Sequence, residues 1–107
     1  MAEAGWTRVA SKSDVAEGAV IAVRVGKKEV ALYHLPGGEF CATDNVCTHE
    51  YALLSEGWVE KGCIECPLHA AQFDIRTGKA MSAPADVDLT VYKVMFEGDD
   101  VLVNIRS

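Results

Sequence analysis

The sequence predicts a small all-β protein, an antiparallel sandwich or barrel. Three observations lead there. Short runs rich in Val, Ile, Leu and Tyr recur along the 107 residues. Gly, Pro and Asp turn residues bound them, and signals for longer helices are weak. No internal repeat, low-complexity segment or linker divides the chain, so a single domain over residues 1–107 is expected.

The elements follow in order. Residues 6–10 form a first strand. In "AVIAVRVGKKEVALYHL" the β-branched run 19–25 turns at Gly26 and Lys27 and resumes over 29–35 as a hairpin. Between them and the first strand, Ser13 can cap a short turn at Asp14 and Val15. Pro36, Gly37 and Gly38 make the next turn, and a strand over 39–43 follows. Residues 51–55 can form a helical turn. "WVEKGCIEC" reads as a hairpin turning at Lys61 and Gly62, and "QFDIRTGKA" as a turn around Thr77 and Gly78. "LTVYKVMFEGDDVLVNI" closes the chain as a hairpin turning at Gly98, Asp99 and Asp100.

Composition narrows the function classes. Half the residues are apolar, yet no apolar run nears the roughly 20 residues of a membrane span, and residues 1–5 lack the basic start of a secretory signal. A soluble, unprocessed, cytoplasmic protein is expected. Sixteen acidic against ten basic residues leave a net charge of -6, which argues against nucleic acid or an anionic membrane as a partner and favours basic protein patches. Four cysteines in a reducing compartment point to metal binding or thiols rather than disulfides.

Three of those cysteines and two of the three histidines lie in "CTHEYALLSEGWVEKGCIECPLH". The pattern is Cys47, one residue, His49, sixteen residues, Cys66, two residues, His69. Each half is a loop carrying one thiolate and one imidazole. Such symmetry suits a Rieske 2Fe-2S centre, in which two histidines replace two cysteines on one iron. Two cysteines and two histidines are also a tetrahedral zinc set, although zinc fingers usually pair like with like. Both readings stand on spacing, with the mixed pairs favouring iron–sulfur. Cys63 and Cys66 make a CxxC, but in an extended "CIEC" side chains three apart face opposite ways, so Cys63 reads as a buried thiol. Cys41 reads as a small core residue, and His34, in an alternating stretch, as structural.

The stretches "TDNVCTH", "IECPLH" and "FDIRTGKA" closely resemble the Rieske-type ferredoxins of multicomponent bacterial aromatic-ring dioxygenases, of the naphthalene and biphenyl dioxygenase kind. The likeness runs from about Trp6 to Ile105. It implies a Rieske fold: a base of antiparallel sheets carrying a cluster-binding subdomain over about residues 45–86. It implies Cys47 and Cys66 on the buried iron and His49 and His69 on the outer one. Pro84 matches the family's proline loop, and equally suits an ordinary loop. Respiratory Rieske proteins tie their ligand loops with two further cysteines, where this chain has Ala52 and Leu68. They also offer serine and tyrosine hydroxyls to the cluster, where this chain has Ala71 and Phe73. Fewer hydrogen bonds to sulfur destabilise the reduced state, so a potential near the low end of the Rieske range, roughly -150 mV, is expected. Glu50 and Ala70 stand where relatives often have glycine; Glu50 either tunes the neighbouring histidine, touches a partner or, on the simpler reading, is an ordinary solvated carboxylate.

A cluster with four protein ligands has no open position for substrate, and its simplest work is moving one electron. With two histidines on the cluster, His34 alone cannot build the mononuclear iron site of a dioxygenase. The resemblance therefore implies a carrier, not an enzyme. It would be a monomer taking electrons from a flavin-dependent NAD(P)H reductase to a terminal ring-hydroxylating oxygenase, through small, salt-sensitive contacts of less than about 1,200 Å². The alternatives are a zinc-binding interaction module and a Rieske-like small subunit of a nitrite reductase.

Overall fold

A computed structural model describes residues 5–47, 52–68, 71–82 and 87–105. Nine strands form two antiparallel sheets among them. The larger contains β1 (Trp6–Ser11), β2 (Val20–Val25), β3 (Lys28–Leu35), β4 (Glu39–Asp44), β8 (Val91–Glu97) and β9 (Asp100–Asn104), in the order β1-β9-β8-β4-β3-β2. Its outer strands β1 and β2 come together, so the sheet curls into a nearly closed barrel. The smaller sheet is β5 (Trp58–Glu60), β6 (Cys63–Glu65) and β7 (Gln72–Asp74), in sequence order.

The hairpins form where the turn residues place them. Val25 pairs with Lys28 around Gly26 and Lys27, and Glu60 pairs with Cys63 around Lys61 and Gly62. Lys61 and Gly62 both take positive φ, 53° and 79°, as a type I′ turn demands. Three expectations are corrected. Asp100 already pairs with Glu97, so the last turn is Gly98 and Asp99 alone. Ser11 rather than Ser13 stands at the head of the first helical turn, Lys12–Asp14, its N–H donating to Asp14 Oδ2 at 2.9 Å. In a run of short polar residues either serine could serve, and the end of β1 decides between them. The second helical turn is Leu54–Glu56; Tyr51 lies outside the described residues.

β3 explains where the site sits. Its alternating side chains serve two cores at once. Val30 and Leu32 join Phe40, Tyr92, Val101 and Val103 inside the barrel. Ala31, Tyr33 and Leu35 face the other way, under the small sheet and its loops, against Leu54, Ile64, Phe73 and Ile75. A strand buried on both faces reads as a continuous apolar run, and "VALY" does. Fully burying each large apolar side chain in this second core stabilises the fold by about 1.5–3 kcal/mol. No helix among the described residues is long and apolar enough to cross a membrane.

Candidate metal centre

Both cysteines of the Cys/His pairs lie in the second core. Cys47 and Cys66 are buried among Ala52, Leu54, Ile64, Ala71 and Phe73, on the outer face of β3. They are 19 positions apart in sequence and share one apolar cluster in space.

The two chain segments close in the same way. The Cys47 N–H donates to the carbonyl of Ala52 at 2.9 Å, and the Cys66 N–H donates to the carbonyl of Ala71 at 2.7 Å. Each cysteine thus stands at the root of a short loop pinned to the residue five positions on, and each loop contains a histidine. His49 and His69 themselves lie outside the described residues, as do Glu50, Ala70 and Pro84. Among the described residues no three His, Cys, Asp or Glu side chains gather into a metal site. The donor set fits a cluster with a buried thiolate side: two thiols enter one dry, close-packed wall.

Two side chains of that wall carry no polar atom. Ala71 and Phe73, where respiratory relatives carry hydroxyls, are fully buried in the cysteine core. Ala52 is buried and Leu68 exposed, so the two positions that correspond to the loop-tying cysteines of respiratory Rieske proteins differ in environment. Tyr33 reaches the same core, but its hydroxyl donates to Thr43 Oγ1 at 2.8 Å, because the threonine proton goes to the carbonyl of Asp44. Burial pushes the Tyr33 phenol well above its ordinary range.

The remaining sulfur and imidazole groups find other work. Ile64 points into the core while Cys63 and Glu65 sit on the opposite, more open face of β6, so Cys63 and Cys66 do diverge. Cys63 is only half-buried, against the expectation of a buried thiol, because one face of a three-stranded sheet meets water. Burial and the Asp74 carboxylate still push its thiol up. Cys41 packs at the edge of the cysteine core, where burial first and Glu39 second push its thiol up to about 11. Both stay protonated and weakly nucleophilic near neutral pH. His34 is structural: its Nδ1 lies 2.8 Å from the Val15 carbonyl and its ring stacks on Phe40.

Three features escaped the sequence reading. Asn45, two residues before Cys47, is fully buried and bonded on every side. Gly57 lies so close to β6 that an added Cβ would sit 2.0 Å from the Glu65 carbonyl oxygen. Arg76 grips Glu39 with three contacts of 2.7–3.0 Å, tying the small sheet to the barrel. A glycine immediately after a helical turn is a weak hint of close approach; the other two leave no local signal.

At the base of the first loop, Asp44 accepts a hydrogen bond from the Tyr92 hydroxyl and lies 3.5 Å from Lys28 Nζ. Large apolar side chains are exposed around the loops: Val46 beside Cys47, Leu68 beside His69 in sequence, and Met81 and Val87 on either side of residues 83–86.

Comparison with known proteins places the chain in a family. A family model described as "Rieske [2Fe-2S] domain" matches residues 5–93. The ferredoxin component of the naphthalene 1,2-dioxygenase/salicylate 5-hydroxylase systems of Ralstonia sp. is 44% identical over 101 residues, 94% of this chain and 96% of that one. The ferredoxin component of the Pseudomonas putida naphthalene 1,2-dioxygenase system is 44% identical over 100 residues, 94% of this chain and 95% of that one. In a solved complex of reduced oxygenase and oxidised ferredoxin of carbazole 1,9a-dioxygenase, the matching chain is 38% identical with a TM-score of 0.87, covering 95% of this chain and 94% of that chain.

Proposed function

Because the chain belongs to the Rieske [2Fe-2S] domain family, we propose that it is the ferredoxin of an aromatic-ring-hydroxylating dioxygenase system. It carries one Rieske cluster, accepts one electron from a flavin-dependent NAD(P)H reductase and passes it to a terminal oxygenase. It works as a monomer in the cytoplasm. The single domain spans residues 1–107, with the cluster-binding part over about 45–86.

The observation that carries this reading is the pair of buried cysteines at the roots of two identically closed loops, each with its histidine. Cys47 and Cys66 hold the inner iron, and His49 and His69 hold the outer one. A bound Rieske cluster supplies one reversible electron and no open coordination position. Leu54, Ile64, Phe73 and Ile75 keep water from the thiolates. Ala71 and Phe73 offer no hydroxyl to sulfur, which sets the potential near the low end of the Rieske range, roughly -150 mV. His34, committed to Val15 and Phe40, is left to the barrel.

The loops bearing His49 and His69 would form the contact tip, with the exposed Leu68 next to His69 in sequence. An iron core of charge two plus cancels the two thiolates, so the -6 of the chain becomes about -7 on reduction. Attraction to basic partner surfaces then speeds encounter and weakens with salt. That a related ferredoxin was solved bound to its oxygenase supports the choice of acceptor.

Visible absorption and EPR spectra before and after dithionite, with iron and zinc assayed on the same sample, test the proposal. Expected are a brown protein with two irons per chain and a reduced spectrum of low average g-value. Transfer to a ring-hydroxylating oxygenase should slow as ionic strength rises. A colourless protein with stoichiometric zinc after anaerobic preparation would overturn the carrier reading.

A further inference from the structure

We propose that Asn45 is a positioning residue for the cluster: its carboxamide holds the Cys47 loop shut, keeping that thiolate dry and fixed. The inference rests on the reading of Cys47 and His49 as ligands.

Asn45 and Thr43 are the fully buried polar residues among those described. The Asn45 backbone N–H donates to the Glu29 carbonyl at 3.1 Å, and its own carbonyl accepts from the Leu54 N–H at 2.7 Å. The side-chain Nδ2 donates to Glu29 Oε1 at 3.2 Å and to Ser55 Oγ at 3.1 Å, while Oδ1 accepts from the Ser55 N–H at 2.8 Å. Two donors and one acceptor at the end of a one-carbon stem describe asparagine and no other residue. Ser55 N–H can only donate, so it fixes which way the amide faces.

These bonds join both ends of one loop. Asn45 meets Leu54 and Ser55, Val46 bridges to Leu53, and Cys47 bonds to Ala52: three successive rungs, of which only the outermost uses a side chain. The same amide reaches β3 through Glu29, so the loop is held closed and held to the barrel by one group. Without it, the part-buried Ser55 N–H loses its acceptor, and water is the nearest replacement. Cys47 closes the innermost rung of the same ladder, so a breach at Asn45 loosens the rung that carries the cysteine.

The test uses cluster-loaded wild type and Asn45→Ala. Three readouts are taken: the rate of cluster loss to a chelator, the midpoint potential, and hydrogen exchange of peptides covering residues 45–55 and β8–β9. Expected for N45A are cluster loss faster by about 10-fold or more, as for other residues that orient metal ligands, a potential moved upward as solvent reaches sulfur, and faster exchange confined to 45–55. Wild-type cluster retention and potential in the variant would overturn the proposal. So would faster exchange spread equally into β8–β9 at unchanged potential, the mark of a merely structural residue. If N45A does not fold, Asn45→Asp keeps the acceptor for Ser55, removes both donors and is read by the same three measurements. Wild-type protein that holds no iron would instead overturn the ligand assignment, and the proposal with it.

Discussion

The loop that starts at Cys47 leaves the end of β4 and returns through a single helical turn, whereas the loop that starts at Cys66 is the tip of the hairpin between β6 and β7. Both end in the same cysteine-to-carbonyl bond. Behind that bond they differ. The second loop is backed by ladder pairs, Glu65 with Gln72, Ile64 with Phe73 and Cys63 with Asp74. The first has one isolated bridge, Val46 with Leu53, and relies on the buried amide of Asn45. A regular ladder satisfies its own backbone groups; an irregular loop needs a side chain to finish the work. Each loop also has its own tie to the barrel: Asn45 to Glu29 in β3, part-buried, and Arg76 to Glu39 in β4, exposed.

The sharpest break of the comparison is at the cysteines, where the loops should be equal. Cys47→Ser and Cys66→Ser are each expected to abolish the visible spectrum and the bound iron, since a serine hydroxyl is a poor substitute for a thiolate ligand to iron. A variant that keeps its iron would show that its loop does not supply a ligand. Next in size is Gly57→Ala. Gly57 leaves the first loop and touches the strand that enters the second, and a Cβ placed 2.0 Å from the Glu65 carbonyl oxygen must push the two arms apart. A loss of about 3 kcal/mol is expected in denaturant unfolding, with both cysteines disturbed together.

What could be read from sequence follows the same division. Strands β2, β3, β8 and β9 are apolar-rich runs flanked by turn residues, and they emerge close to where pattern places them. β7 is three residues with one apolar side chain, too short to carry a period, and only pairing with β6 and the bridge from Phe73 to Ala80 makes it a strand. The Cys/His spacing is legible because chemistry demands those residue types at the loop roots. Asn45 is not, since an asparagine between a strand and a loop looks like a turn residue until its burial is known. Arg76 and Glu39 are 37 positions apart, and nothing local to either announces the other.

A smaller effect sharpens the contrast in polarity. Phe73, backing the second loop, is fully buried in the cysteine core. Phe73→Tyr places a hydroxyl in that core, and donation to a cluster or cysteine sulfur stabilises the reduced state. A midpoint potential raised by on the order of tens of mV is expected from direct electrochemistry. An unmoved potential would mean that the apolar side chain at residue 73 is not what keeps it low.

The smallest effect is expected at the exposed tie. Arg76 beside Glu39 holds that carboxyl below the usual carboxylate range, with burial opposing it weakly. A carboxylate whose folded pKa is depressed stabilises the protein above its unfolded value, near pH 4.3, and the contribution is lost as pH falls through the folded value. Glu39→Gln should therefore lower the melting temperature slightly at pH 7 and low salt. The difference from wild type should shrink as the pH drops well below 4, where wild-type Glu39 is itself protonated, and again as salt rises at pH 7. Melting curves of the two proteins at both pH values and two ionic strengths check this. A large loss at pH 7, accompanied by faster cluster release, would make the second loop as dependent on a side-chain tie as the first, and the ladder behind it would no longer account for its stability.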